Sequence, residues 1–263
     1  MTKNSPSSPA TPESPTRIAA VQFLNTISLI EGLETWNGCT LTKAIPSRIA
    51  QMLVDNQADI GLASIVDAAD PQNDLALIPA GMIGCDGPTL TVRLFSSVPP
   101  EQITRVHADK AEFVPYDARE RMSDDDAPTN PDEAWPETLL LIGDKVVVDS
   151  PPAVRYPHQI DLGEAWHTLT GLPFVYACWM CRRADLGTPM VDEASAMLER
   201  VRLRNTQRLD WLREYIGELL KFNLDDRARQ AVAVFFDKLR AHALIDARQP
   251  VWHETPAPTP AAH

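Results

Sequence analysis

From Arg17 onward, short apolar runs alternate with segments of helical period, and this alternation constrains the fold more than any other feature of the chain. RIAAVQF, LTKAI and DIGLAS read as strands. Between them, residues 28–34 and the segment after Pro46 read as helices, so the region predicts βαβ units and a largely parallel sheet. The second helix is the better defined: Ser47 can cap it, and Ile49, Met52 and Leu53 form an i, i+3, i+4 stripe that would face the sheet. ALIPAGMIG and TVRLFS are two further strand-like runs. The turn-forming cluster Cys85-Asp86-Gly87-Pro88 separates them and is a natural place for the chain to cross between lobes.

Residues 1–16 are nearly all small or polar and cannot bury enough apolar surface to offset their ordering entropy, so they are expected to form a disordered tail, as are residues 254–263. The acidic, Pro-containing stretch 117–136 reads as a surface loop, and TLLLIGDKVVV as a return to a buried strand. After FVYACWMCR, residues 192–220 and 225–244 read as amphipathic helices. Trp211, Leu212, Tyr215, Ile216 and Leu219 mark the apolar face of the first, and Val232, Phe235, Phe236 and Leu239 that of the second.

Composition excludes several classes of function. A net charge of −12 leaves no basic face for nucleic acid, although backbone amides and a few hydroxyls can still hold a small anion. No run reaches the roughly 20 apolar residues of a membrane span, and the first residues lack the apolar core of a secretion signal, so no membrane partner and a cytoplasmic setting are expected. There is neither a GxGxxG nor a GxxxxGK[ST] phosphate loop, and no GxSxG elbow. Cys178 and Cys181 have the spacing of zinc and redox sites. In a strand, however, residues three apart point to opposite faces, and no second CxxC or HExxH completes a site, so buried structural thiols are expected and no metal.

The remaining polar groups sit at the ends of apolar runs, where open α/β sheets bind ligands. Asn25 and Thr26 follow the first strand, and each suits either a turn or a ligand contact. Ser47 and Ser64 occupy comparable positions, with capping as the alternative role. Arg48 is either a solvated helix residue or a cation for a substrate carboxylate. Asp86 and Thr91 flank Gly87-Pro88; a turn accounts for the glycine and proline but not for the Thr91 hydroxyl in an apolar strand.

In order and spacing, VQFLNT, IPSRIAQMLVDNQADIGLAS, GCDGPTLTVRLFSSVP, LLIGD and DLGEAWHTLTGLPFVYACW resemble the chorismate dehydratase family of the futalosine route to menaquinone. The resemblance implies an α/β, two-lobed fold like that of type 2 periplasmic binding proteins. Lobe one would comprise 17–91 plus 175–253 and lobe two 92–174. It also implies a lyase that removes water from chorismate to give 3-[(1-carboxyvinyl)oxy]benzoate without a cofactor. By this correspondence Asn25 hydrogen-bonds the substrate and Thr91 supplies the hydroxyl that assists the leaving group. Thr26, Ser47, Arg48, Ser64, Cys85, Asp86 and Gly87 would line the substrate. A sister family that cleaves a later intermediate shares the fold, and a non-catalytic carboxylate-binding protein or an inactive paralogue would use the same framework.

One departure from the family pattern carries a structural expectation. Asp109 is followed at once by Lys110, where the family has a hydroxyl-rich turn opening a helix before a strand like AEFVPYD. Parallel neighbours need a crossover of about a dozen residues or more. Lobe two is therefore expected to be shortened, without that helix and its anion-binding amides.

Overall fold

The computed structural model describes residues 14–21, 23–108, 136–143, 146, 150–208 and 219–254. Two sheets organise these residues. The first contains β1 (Thr16–Ala20), β2 (Cys39–Lys43), β3 (Ile60–Ser64), β4 (Leu75–Cys85), β9 (Phe174–Arg182) and β10 (Leu220–Lys221), in the order β10-β4-β9-β3-β1-β2. The second contains β5 (Val92–Ser96), β6 (His107–Ala108), β7 (Thr138–Ile142) and β8 (His158–Asp161), in the order β6-β7-β5-β8.

The first sheet is less parallel than the alternation of runs suggested. β1 pairs in parallel with β2 and β3, but β9 lies antiparallel to both β3 and β4, and β10 is antiparallel to β4. The cause is the excursion into the second sheet. The chain leaves after β4 and returns at the same edge into β9, so β9 must run the opposite way. As a result the C-terminal ends of β1 to β4 and the N-terminal end of β9 share one edge, with Ser64 opposite Ala177 and Cys85 opposite Phe174.

Helices cover both faces of this sheet. On one face α2 (Pro46–Val54) and α6 (Asp226–Ala241) bury Ile49, Leu53, Val232, Phe236 and Leu239 against Cys178 and Met180. On the other, α1 (Ile27–Ile30) and α5 (Pro189–Arg208) bury Leu29, Leu198 and Val201 against Trp179 and Cys181. Cys178 and Cys181 thus belong to opposite cores, as the alternation along a strand requires. Burying each Leu, Val or Phe of these stripes is worth about 1.5–3 kcal/mol, which is how short helices of modest propensity are held.

Several expectations need correction. The helix expected at 28–34 stops at Ile30. Gly32 takes a left-handed φ of 86°, which breaks the helical path, so only a short 3-10 turn, Leu33–Thr35, follows. Ser47 does not cap α2. Ile45 is the N-cap and Pro46 takes the first helical position, where its fixed φ is already helical. Thr16, assigned to the tail, begins β1, whereas residues 1–13 and 255–263 lie outside the described residues. The helix expected over 192–220 begins earlier, at Pro189, and Leu220 belongs to β10; Trp211, Leu212, Tyr215 and Ile216 lie outside the described residues. Asp225 caps α6 by accepting the Ala228 N–H at 2.9 Å.

The second sheet closes over a small core of Phe95, Leu139, Leu141, Val146 and Tyr156. β6 pairs in parallel with β7, and residues 109–137 connect them, well above the minimum for a crossover. The Asp109-Lys110 junction, the AEFVPYD segment and the loop from 117 lie in a stretch of which residues 109–135 are outside the described residues.

Candidate functional site

The residues singled out in the sequence gather at the edge shared by the C-terminal ends of β1 to β4. Asn25 lies in a 3-10 turn, Leu24–Thr26, just beyond β1. It is half-buried, and its Oδ1 is shut off from solvent without a hydrogen-bond partner among the described residues. Leaving an acceptor unsatisfied costs about 1–3 kcal/mol, so its presence calls for an explanation. Thr26 has the opposite character. Fully buried, it donates to the carbonyls of Val21 and Phe23 at 3.0 and 2.7 Å and accepts the Phe23 N–H at 3.3 Å, so its hydroxyl shapes the turn.

Ser47 and Arg48 occupy the first turn of α2, both exposed, at the mouth of the same edge. Ser64 ends β3 and is the N-cap of α3 (Ile65–Ala69), yet its hydroxyl makes no capping bond. Instead the Asp67 carboxylate hydrogen-bonds the Ser64 backbone N–H, one half of a capping box. Burial pushes Asp67 up to about 6, the Ser64 N–H pulls the other way, and the nearby Asp70 adds to the rise.

The crossover from β4 to β5 holds the densest polar arrangement. The buried Cys85 Sγ lies 3.6 Å from the Tyr176 hydroxyl, and burial raises both the thiol and, far more, the phenol. Both stay protonated at neutral pH. Thr89 is buried, and its hydroxyl is 3.3 Å from that of Thr91 and close enough to Tyr176 and Cys85 to draw both pKa values down. A line of neutral donors therefore runs Cys85, Tyr176, Thr89, Thr91, with the partly exposed Thr91 at its end.

Asp161, at the end of β8, organises this segment. Its carboxylate caps α4 (Leu162–Thr170) by accepting Gly163 N–H at 3.0 Å and Glu164 N–H at 3.1 Å. The same group accepts Thr89 N–H on both oxygens, at 3.0 and 3.1 Å, and Leu90 N–H at 2.8 Å. Leu90 has φ of 60°, a strained conformation for a branched side chain. Gly163 allows the helix to approach this closely, because a Cβ there would stand 2.5 Å from both Cys85 Sγ and the Gly87 carbonyl oxygen. Gly87 itself is buried at a φ of 111°.

Asp86 is already engaged. One oxygen is 3.0 Å from His167 Nδ1 and the other 2.9 Å from Arg227 Nη1, while Arg227 Nη2 donates to the Gly171 carbonyl at 3.0 Å. It ties the crossover to α4 and α6 and leaves little capacity for a ligand. The sequence reading missed Asp161, Thr89 and Tyr176. Asp161-Leu162-Gly163-Glu164 does carry the D-x-x-E signature of a helix start, and Thr89 stands two residues before Thr91. Nothing in the local sequence announces Tyr176, which reaches the site only through the pairing of β9 with β4.

A shallow depression at the opposite end of the sheet is bordered by Asp74, Arg183, Arg248 and Phe236. Its charges are balanced, with both arginines 3.9 Å from Asp74. Among the described residues no group of three or more His, Cys, Asp or Glu is placed to hold a metal ion, and no helix is long and apolar enough to cross a membrane.

A family model described as menaquinone biosynthesis matches residues 16–243. Among solved structures, the chain is similar to AF1704 from Archaeoglobus fulgidus, with a TM-score of 0.59 at 12% identity over 89% of this chain and 100% of that one. An ABC transporter protein from Parabacteroides distasonis aligns with a TM-score of 0.51 at 13% identity, over 94% and 100% of the two chains. The CA3427 gene product of Candida albicans, described as exhibiting the generic periplasmic binding protein fold, aligns with a TM-score of 0.50 at 10% identity, over 89% and 92%. The α/β architecture is therefore the periplasmic-binding-protein fold.

Proposed function

Because the chain belongs to the menaquinone biosynthesis family, we propose that it is a chorismate dehydratase, a lyase that eliminates water from chorismate to give 3-[(1-carboxyvinyl)oxy]benzoate. The observation that carries this reading is the orphaned Oδ1 of Asn25. A buried acceptor without a donor is costly in the free protein, and a bound hydroxyl relieves that cost. Chorismate carries such a hydroxyl on the ring carbon where elimination takes place.

The chemistry asks little of the protein. The ring proton leaves, the C–O bond to the ring hydroxyl breaks, and the electron pair completes an aromatic ring. The enolpyruvyl carboxylate of the substrate takes the proton, so the sequence motifs that carry the site need no His or Glu base of their own. Thr91, at the end of the hydroxyl line, donates to the departing hydroxide so that it leaves as water, the donor being restored from Thr89 and Tyr176 or from solvent. As a β-branched residue Thr91 is stiff at χ1, which limits where its hydroxyl can point. Ser47 and Arg48 in the first turn of α2 and Ser64 at the N-cap of α3 would take the two carboxylates of the substrate, and holding them would fix the ring against the donor line. Four cysteines without a disulfide among them fit a reducing, cytoplasmic setting.

The test is incubation of the purified protein with chorismate and chromatographic detection of the aromatic product, alongside Asn25→Ala. Product from the wild type and a large loss in the variant support the reading. Stabilisation of the fold by chorismate without product would instead identify a carboxylate-binding protein.

A further inference from the structure

We infer that Asp161 is a positioning residue, which holds the Thr89–Leu90–Thr91 crossover so that the Thr91 hydroxyl meets the substrate. The inference rests on the role of Thr91 proposed above and extends it to a group that touches neither substrate nor reacting atoms.

Three independent features of the geometry point the same way. Asp161 has only 7% of its side chain exposed, yet its two oxygens serve four backbone N–H groups, two on α4 and two on the crossover. An N-cap needs only the helix amides, so the bonds to Thr89 and Leu90 are additional to capping. Leu90 sits at φ of 60° without a glycine to make that conformation cheap, and its N–H is the donor at 2.8 Å to Asp161 Oδ2. The strained residue lies between the two threonines whose hydroxyls are 3.3 Å apart. If Leu90 relaxed to a negative φ, the chain direction between Thr89 and Thr91 would change and the pair would separate. Arg93, the cross-strand partner of Asp161, stands 3.8 Å from Oδ2 and leaves the backbone amides as the closer partners.

The experiment uses the full-length protein and the Asp161→Asn variant. Asparagine caps helices well, so α4 survives, but its amide nitrogen places a donor where Leu90 N–H needs an acceptor. Two readouts are taken together: steady-state kinetics with chorismate, and hydrogen exchange at the Thr89 and Leu90 amides, with β3 amides as the control for global stability. The expected result is a kcat lower by about 10- to 100-fold with KM little changed, faster exchange at Thr89 and Leu90, and unchanged exchange in β3. Adding Leu90→Gly to the variant should recover part of the lost kcat, because glycine accepts the positive φ unaided. If Asp161→Asn does not fold, Asp161→Ser replaces it, since serine caps the helix but is too short to reach the crossover. Unchanged kcat, or a lower kcat with unchanged exchange at Thr89 and Leu90, overturns the assignment. If the wild type makes no product, the reaction proposal fails and the exchange readout alone decides. Faster exchange then upholds the locking by Asp161, and unchanged exchange overturns it.

Discussion

Thr26 sends its hydroxyl to the backbone carbonyls of Val21 and Phe23 at 3.0 and 2.7 Å, whereas its neighbour Asn25 keeps a buried Oδ1 that accepts no hydrogen bond among the described residues. One residue builds the turn, and the other keeps a buried acceptor that the turn does not use. The two substitutions should therefore separate stability from turnover. Thr26→Val should cost about 1–3 kcal/mol in urea unfolding, because the Val21 carbonyl and the Phe23 N–H lose the hydroxyl, while the Phe23 carbonyl keeps the Thr26 N–H at 3.0 Å. Asn25→Ala should leave the fold no less stable, and more stable by up to about 1–3 kcal/mol, since it removes a buried unsatisfied acceptor, yet should lower turnover by about 100-fold or more. A destabilised Asn25→Ala protein with normal turnover would reverse both roles.

Asp67 gives the protein a predictable pH dependence. Burial first, and then the neighbouring Asp70, holds its carboxyl up at about 6, against an ordinary value near 3.8. The native state therefore keeps a proton that the unfolded chain releases between those two values, and stability falls as pH rises through that window. Above pH 6 the penalty is complete. One pKa unit corresponds to about 1.4 kcal/mol, and solvent screening at a part-exposed site removes some of the effect. Asp67→Asn, which still accepts the Ser64 N–H, should thus stabilise the fold by about 1–2 kcal/mol at pH 8 and by almost nothing at pH 4. Denaturant melts at the two pH values read this directly; equal effects at both would contradict the buried-carboxyl account.

The cysteines should behave as packing groups. Burial pushes Cys178 and Cys181 each up to about 12, and they lie in the cores on opposite faces of β9. Cys85 is fully buried as well, and only Cys39 is partly exposed. With a chromogenic disulfide reagent at pH 8, the native protein should react at Cys39 alone, and all four thiols should react after unfolding. Fast native reaction of Cys178 and Cys181 together, or tight zinc binding that requires both, would contradict the strand geometry.

The ion pairs of Asp86 with His167 and Arg227 join the crossover to two helices, but all three side chains are part-exposed. Asp86→Asn should cost no more than about 1 kcal/mol, with the loss shrinking at high salt. A KM for chorismate that rises strongly in this variant would restore Asp86 to the substrate-contacting role expected from its position beside Gly87.

How far the fold could be read from the sequence depended on range. The stripe of Ile49 and Leu53, the stripe of Val232, Phe236 and Leu239 in the C-terminal helix and the alternation that splits Cys178 from Cys181 between two faces are local patterns, and each carries its own periodicity. The antiparallel course of β9 was not legible, because it follows from where the chain returns after the second sheet. Gly32 is a helix-stop signal available in the sequence, because glycine readily takes the positive φ it adopts here, and reading the helix through it to 34 overlooks that signal. The site divides in the same way. Asn25 and Thr91 could be found as polar groups at the ends of apolar runs, whereas Tyr176 and the bonds from Asp161 to Thr89 and Leu90 exist only once β8 and β9 are folded against the crossover.

Single-turnover incubation of the purified protein with chorismate is the most direct test of the proposed dehydration at the edge that holds Asn25 and Thr91. The predicted result is 3-[(1-carboxyvinyl)oxy]benzoate appearing above the no-enzyme control without added metal or cofactor, and falling to background with Asn25→Ala. Absence of that product from a folded wild-type protein, under conditions in which an established chorismate dehydratase converts the same substrate, would contradict it.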